Sequence, residues 1–244
     1  MVKIGGLQKL TLIDYPKKVA CTVFLIGCNF RCPFCYNGEL VLPEKIKKQP
    51  VISEKVFFEF LKNRVGLLDG VCITGGEPTI NSDLPRFIKK IKKMGFLVKL
   101  DTNGTNPQMV KKLIKNKAID YIAMDIKSSF NNREEGPAAK SINKYDEAAG
   151  VKVDLKKIKE SIDIIKNSGV DYEFRTTIVP GIHLKGDIVE LARTISTVKR
   201  YYLQEFKAGK NINGQLVAVN PYSRKELTEM RNAIAFLSDI CEVR

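Results

Sequence analysis

Val19-Ala-Cys-Thr-Val-Phe-Leu-Ile26 runs without a break into Gly27-Cys-Asn-Phe-Arg-Cys-Pro-Phe-Cys-Tyr-Asn37. The first segment is apolar and β-rich, so it reads as a buried strand, with the cysteines in the loop at its C-terminal end. Cys28, Cys32 and Cys35 have the spacing Cys-x3-Cys-x2-Cys. Three thiolates so placed can ligate three irons of a cubane 4Fe–4S cluster and leave the fourth iron without a protein ligand. A small molecule can coordinate an open iron, so the spacing points to a cofactor that does chemistry. A structural zinc site is the competing reading, but such sites close with four ligands. His183, the only histidine, and the remaining cysteines are remote in sequence and form no second pair.

A second motif stands in the same structural context. Thr74-Gly75-Gly76-Glu77-Pro78 follows the short apolar run Val71-Cys-Ile73, a predicted buried strand. Paired glycines let the backbone approach a ligand closely, and Glu77 offers an acceptor for an ammonium group. Beyond these motifs, strand-like and helix-like segments alternate. Strands are expected over 19–26, 71–74, 96–101, 121–125, 172–179 and 201–206. Helices are expected over 54–63 with Ser53 as N-cap, and over 84–94, 107–116, 155–167, 187–198 and 226–240. Alternation of this kind implies an α/β fold with a parallel sheet and right-handed crossovers, in which active sites form at the strand C-termini. About six such units suit a partial (β/α)6 barrel. Other strand ends are polar: Asp101-Thr-Asn103-Gly104, Met124-Asp125-Ile-Lys127, and Arg175 within Phe174–Gly181. Asp125 and Lys127, two apart on a strand, point to one face and satisfy each other or a polar ligand. Residues 128–150 read as a long polar loop, of the length often used as a lid or partner-docking element.

Composition narrows the class. The 244 residues suit one domain, 1–244. No apolar stretch approaches the roughly 18 residues that span a bilayer, and the N-terminus has no signal-peptide core, so a cytoplasmic protein without a membrane segment is expected. Cys21, Cys72 and Cys241 each lie among apolar residues and read as packing. The net charge of +14, from 41 basic and 27 acidic residues, raises the question of nucleic acid. Its lysine runs fall on amphipathic helical patterns such as Leu84, Phe87, Ile88, Ile91, where lysine forms the solvated face. RNA is therefore not the favoured partner.

Cys-x3-Cys-x-aromatic-Cys, with Phe34 before the last cysteine, resembles the signature of radical S-adenosylmethionine (SAM) enzymes, and the Gly-Gly-Glu-Pro loop resembles the element of that family that holds the SAM amino group. The order of Gly5–Pro16, the cysteine loop, Asp-Thr-Asn-Gly, Met-Asp-Ile-Lys, the Arg-Thr-Thr-x-Val-Pro-Gly run and Tyr202–Phe206 is similar to that of glycyl-radical-enzyme activating proteins. The likeness is to the anaerobic ribonucleoside-triphosphate reductase type and, more loosely, to pyruvate formate-lyase activating enzyme. The resemblance implies one 4Fe–4S cluster on Cys28, Cys32 and Cys35, with SAM chelating the open iron and cleaved reductively to a 5′-deoxyadenosyl radical. It also implies a glycyl-radical enzyme as partner and an electron donor such as flavodoxin or ferredoxin. Carried over by position, Tyr36 and Asn37 would border SAM, and Gly75, Gly76 and Glu77 would hold its amino end. Asp125 and Lys127 would contact its methionine and ribose, and Arg175 its carboxylate, with Asn103 beside them. Asp101, with Thr102 and Asp125, matches a region that holds a monovalent cation. Two departures bear on the target: Gln204-Glu-Phe-Lys207 stands where formate-lyase activators carry a ribose-contacting histidine, and Tyr36 where many activators have histidine. The alternatives are a radical SAM enzyme modifying RNA or a small molecule, and a non-catalytic iron–sulfur or zinc binding module.

Overall fold

The computed structural model describes residues 1–133, 142–195 and 197–244. Its strands are β1 (Ile4–Thr11), β2 (Ala20–Leu25), β3 (Gly70–Gly75), β4 (Leu97–Thr102), β5 (Tyr121–Asp125), β6 (Asn132–Arg133), β7 (Ile142–Asn143), β8 (Asp171–Ile178), β9 (Val198–Glu205) and β10 (Ser238–Val243). The helices are α1 (Gly38–Val41), α2 (Pro43–Ile46), α3 (Glu54–Lys62), α4 (Leu84–Lys93), α5 (Pro107–Lys115), α6 (Lys144–Ala149), α7 (Leu155–Lys166), α8 (Lys185–Ile195) and α9 (Arg224–Ile234).

Among the described residues one sheet runs β1-β2-β3-β4-β5-β8-β9-β10, with a separate β6–β7 hairpin. Every neighbouring pair in the large sheet is parallel except β1–β2, which is antiparallel. Strand order follows chain order with no reversal, so successive right-handed crossovers wind one way and curl the sheet. Its edges, β1 and β10, do not meet. The result is the expected partial barrel, opened at one seam.

The helices form where caps and apolar stripes dictate. Ser53, Asn106 and Asp154 accept backbone N–H groups at the starts of α3, α5 and α7. Leu84, Phe87, Ile88 and Ile91 of α4 are buried on one stripe, which leaves Lys89, Lys90 and Lys93 outside. Ser223 and Glu226 build a capping box on α9.

Three expectations change. The helix over 226–240 stops at Ile234, and Ser238–Val243 pairs in parallel with β9, where the sheet edge offers open hydrogen bonds. Ile4–Thr11 is a strand that periodicity did not reveal, since two glycines and a polar run mask it. Within 128–150 the structure has the β6–β7 hairpin and α6, capped by Asn143 and ended by left-handed Gly150. The part of that segment at 134–141, about a third of the expected docking loop, lies outside the described residues. Six residues with two alanines and one tyrosine give too short a pattern to show a helix in sequence.

Candidate functional site

The cysteine loop leaves β2 at Gly27, whose φ of 101° suits glycine. Backbone groups then fix it from three sides. Gly27 N–H donates to the Leu40 carbonyl (2.8 Å), Arg31 N–H to that of Ala149 (2.8 Å), and Ile212 and Asn213 N–H to those of Cys35 (3.2 Å) and Pro33 (2.9 Å). The Arg31 guanidinium holds the carbonyls of Cys28 and Phe30 at 2.7 Å each. A Cβ on Gly150 would stand 2.1 Å from the Arg31 carbonyl oxygen, so only glycine lets α6 end this close to the loop. Cys28, Cys32 and Cys35 thereby line one cavity of about 310 Å³. Burial pushes the Cys28 thiol up to about 12 and the Cys32 thiol up to about 11, and raises Cys35 as well. Cys32 is buried and Cys28 and Cys35 half-buried, and a metal would turn these soft donors into thiolates. Among the described residues no three His, Cys, Asp or Glu side chains converge on a single-ion position. Three soft thiols lining one cavity are a donor set that fits an iron–sulfur cluster.

The Gly-Gly-Glu-Pro loop lies directly against the cysteine loop. Gly76 N–H donates to Leu25 O and Glu77 N–H to Gly27 O, both at 2.8 Å. A Cβ at Gly75 would meet Leu25 O at 2.5 Å, and one at Gly76 would meet Gly27 O at 2.0 Å. Both glycines are steric necessities of that contact. Glu77 lines the same cavity. It is 1% exposed, and its carboxylate accepts from Thr79 N (3.0 Å), Thr79 Oγ1 (2.5 Å), Thr102 Oγ1 (2.7 Å) and Asn103 N (2.6 Å). Burial still raises its pKa against these four bonds. Glu77 thereby ties the end of β3 to the end of β4, and it lines the cavity together with Gly75 and Gly76.

Opposite stands a charge cluster drawn from three strand ends. Arg175 Nε contacts Asp125 Oδ1 at 2.8 Å, Arg175 also reaches Asp101 at 3.4 Å, and Lys127 Nζ contacts Asp125 Oδ2 at 3.1 Å. Lys99, 1% exposed on β4, pairs closely with Asp101. Below them Glu173 takes a hydrogen bond from Tyr121 (2.9 Å) and pairs with Arg244 (3.3 Å). Burial alone would raise Asp125, but Arg175 and Lys127 hold it well below the usual carboxylate range, and Asp125 in turn raises Lys127. Lys127 and Arg175 line the cavity, each held by an aspartate, while Lys99, which pairs with Asp101, is not among the lining residues. The two cations at the wall can receive an amino-acid carboxylate.

The remaining positions sort cleanly. Tyr36 and Asn37 line the cavity; Tyr36 stacks on Phe206 (6.5 Å between ring centres) and its hydroxyl accepts Lys207 N–H at 2.5 Å. Asn37 Nδ2 donates to Gly75 O at 3.4 Å, and Asn103 Nδ2 to Asn29 Oδ1 at 2.9 Å. Gln204 and Glu205, not Lys207, border the cavity at the end of β9. His183 is buried with both ring nitrogens engaged, by Val179 N and the Lys127 carbonyl, which is a structural role. Sequence reasoning missed Lys99, Glu173 and Thr177; a charged residue alternating with another on an otherwise apolar strand was the available signal.

The family model of the radical SAM superfamily matches residues 22–195. The chain belongs to the radical SAM superfamily, whose enzymes use a 4Fe–4S cluster and SAM. Within it, the chain is 36% identical over 211 residues to a Methanocaldococcus jannaschii protein named as a candidate glycyl-radical enzyme activating enzyme, covering 84% of this chain and 80% of that one. A second protein of that organism with the same name is 26% identical over 244 residues, covering 97% and 84%. SuiB of Streptococcus suis, solved with S-adenosylmethionine, superposes with a TM-score of 0.62 at 14% identity and 89% coverage; the chain spans about half, 48%, of SuiB. The fold is thus that of radical SAM proteins, and the reading as a non-catalytic binding module gives way to an enzyme of this class. No helix among the described residues is long and apolar enough to cross a membrane.

Proposed function

We propose that this protein is an activating enzyme that generates a glycyl radical on a partner enzyme. The observation that carries the proposal is the shared cavity: three thiols, a glycine backbone beside them, and the cations Lys127 and Arg175, each held by an aspartate, all line it. In this reading Cys28, Cys32 and Cys35 hold the cluster and leave one iron open. Gly75 and Gly76 present backbone carbonyls to the SAM amino group, and Glu77 keeps that backbone in place. Lys127 and Arg175 receive the carboxylate, with Asp125 and Asp101 fixing the two cations. Tyr36, Asn37 and Asn103 complete the wall. When bound and reduced, the cluster and SAM supply a 5′-deoxyadenosyl radical able to take a hydrogen atom from a glycine Cα. The wall of buried and apolar side chains, Phe30, Phe34 and Val41 among them, keeps water from that radical.

The names of the two archaeal relatives support the activating role. The motif order supports an anaerobic ribonucleoside-triphosphate reductase as the partner. Electron paramagnetic resonance tests this directly. Reconstituted protein, SAM, reductant and a glycyl-radical enzyme encoded beside its gene should give a glycine-centred radical signal. Deoxyadenosine output stimulated by transfer RNA, with no radical on the enzyme, would favour RNA modification instead.

A further inference from the structure

Outside the cysteine loop lies a second depression of about 240 Å³, bordered by Asn29, Phe30, Thr105, Lys152, Asp154 and Lys157. Phe30 lines this depression and the thiol cavity alike. Its ring is 3% exposed, and its N–H points at Cys28 Sγ at 3.3 Å. One side chain therefore stands between this outer depression and the thiol cavity, whose other border, at Gln204 and Glu205, takes no part in the depression.

That face is strongly positive. Lys152, Lys156 and Lys157 are exposed, and so are Lys111, Lys112 and Lys115 on α5, which packs beside α7. None of the six has an ion-pair partner among the described residues. Two exposed carboxylates lie among them, Asp154, which accepts Lys156 N–H at the start of α7, and Glu160, which accepts from Gln108 at 3.1 Å, and the six lysines outnumber them.

We propose that this surface docks a small acidic electron-transfer protein, whose electron crosses at Phe30. The inference rests on the cavity being a cluster site. The partner's reduced flavin or iron–sulfur centre loses one electron and the cluster gains one; no bond is made and no proton moves. Complementary charge brings the donor to the face where one ring stands in the way, and leaves the mouth free for the glycine-bearing segment.

The test uses iron-loaded protein and a reduced flavodoxin, with the bleaching of cluster absorbance followed by stopped flow. Lys152→Glu combined with Lys157→Glu should slow reduction by flavodoxin about tenfold at low salt, raise the Kd for flavodoxin comparably, and flatten the salt dependence. Reduction by dithionite and iron content should match the parent, which shows that the fold and cluster survive. Unchanged flavodoxin rate, affinity and salt dependence alongside normal dithionite reduction would overturn the docking proposal alone. Loss of transfer-RNA binding in the variant with an unchanged flavodoxin rate would also overturn it, in favour of nucleic acid. A parent protein that takes up no iron would sink the cluster reading and this inference together.

Discussion

Two acidic regions border the thiol cavity and are built on opposite principles. Glu77 is saturated by four hydrogen bonds from Thr79, Thr102 and Asn103, all protein groups of adjoining loops. Asp101 and Asp125 instead share Lys99, Lys127 and Arg175, and two of those cations, Lys127 and Arg175, line the cavity. A carboxylate held by four protein donors ties loops together; cations at the cavity wall can bind an anion. The comparison assigns rigidity to the strand-end loop and ligand recognition to the cluster, although both are acidic residues at strand C-termini.

The largest expected effect lies outside both regions and frames them. Anaerobically reconstituted protein should hold about four irons, as a three-thiolate cubane requires. Cys32→Ala should lose most of that iron, while Cys241→Ala, on edge strand β10, should retain it. Equal iron in the two variants would show that the wrong cysteines had been chosen. Next in size is Glu77→Ala, which orphans buried donors on Thr79, Thr102 and Asn103 and should cost about 2–5 kcal/mol of stability, read as a fall in Tm of the iron-free protein. An unchanged Tm with weakened SAM binding would break the comparison and make Glu77 a ligand. Lys127→Ala should do the reverse. Loss of one charge-assisted contact costs about 1.5–3 kcal/mol, or roughly one to two decades in SAM affinity, with a smaller change in Tm. Unaltered affinity would remove Lys127 from the site. The smallest effect is expected of Tyr36→Phe, which removes the acceptor of Lys207 N–H. A loss of about 0.5–1.5 kcal/mol, within roughly tenfold in SAM affinity, would identify that bond as loop anchoring.

What was legible in the sequence was local. The cysteines, the paired glycines and Asp125-Ile-Lys127 are contiguous motifs at the ends of apolar runs, and the parallel α/β order followed from the alternation of periods. The role of Glu77 was hidden because its partners Thr102 and Asn103 come from the next strand, and only register brings them within reach. Lys99, Glu173 and Arg244 form one buried network through β4, β8 and the chain end, which depends on the sheet curling inward. The α6 helix was too short to show a period, yet it ends directly against Arg31 of the cysteine loop. Long-range closeness of this kind leaves no trace in local spacing.

The account stands most directly on SAM cleavage. Iron-loaded protein, given SAM and dithionite without air, should release 5′-deoxyadenosine and methionine in equal amounts, and the Cys32→Ala protein should release neither. Iron-loaded protein that binds SAM yet yields no deoxyadenosine under strong reduction would contradict it.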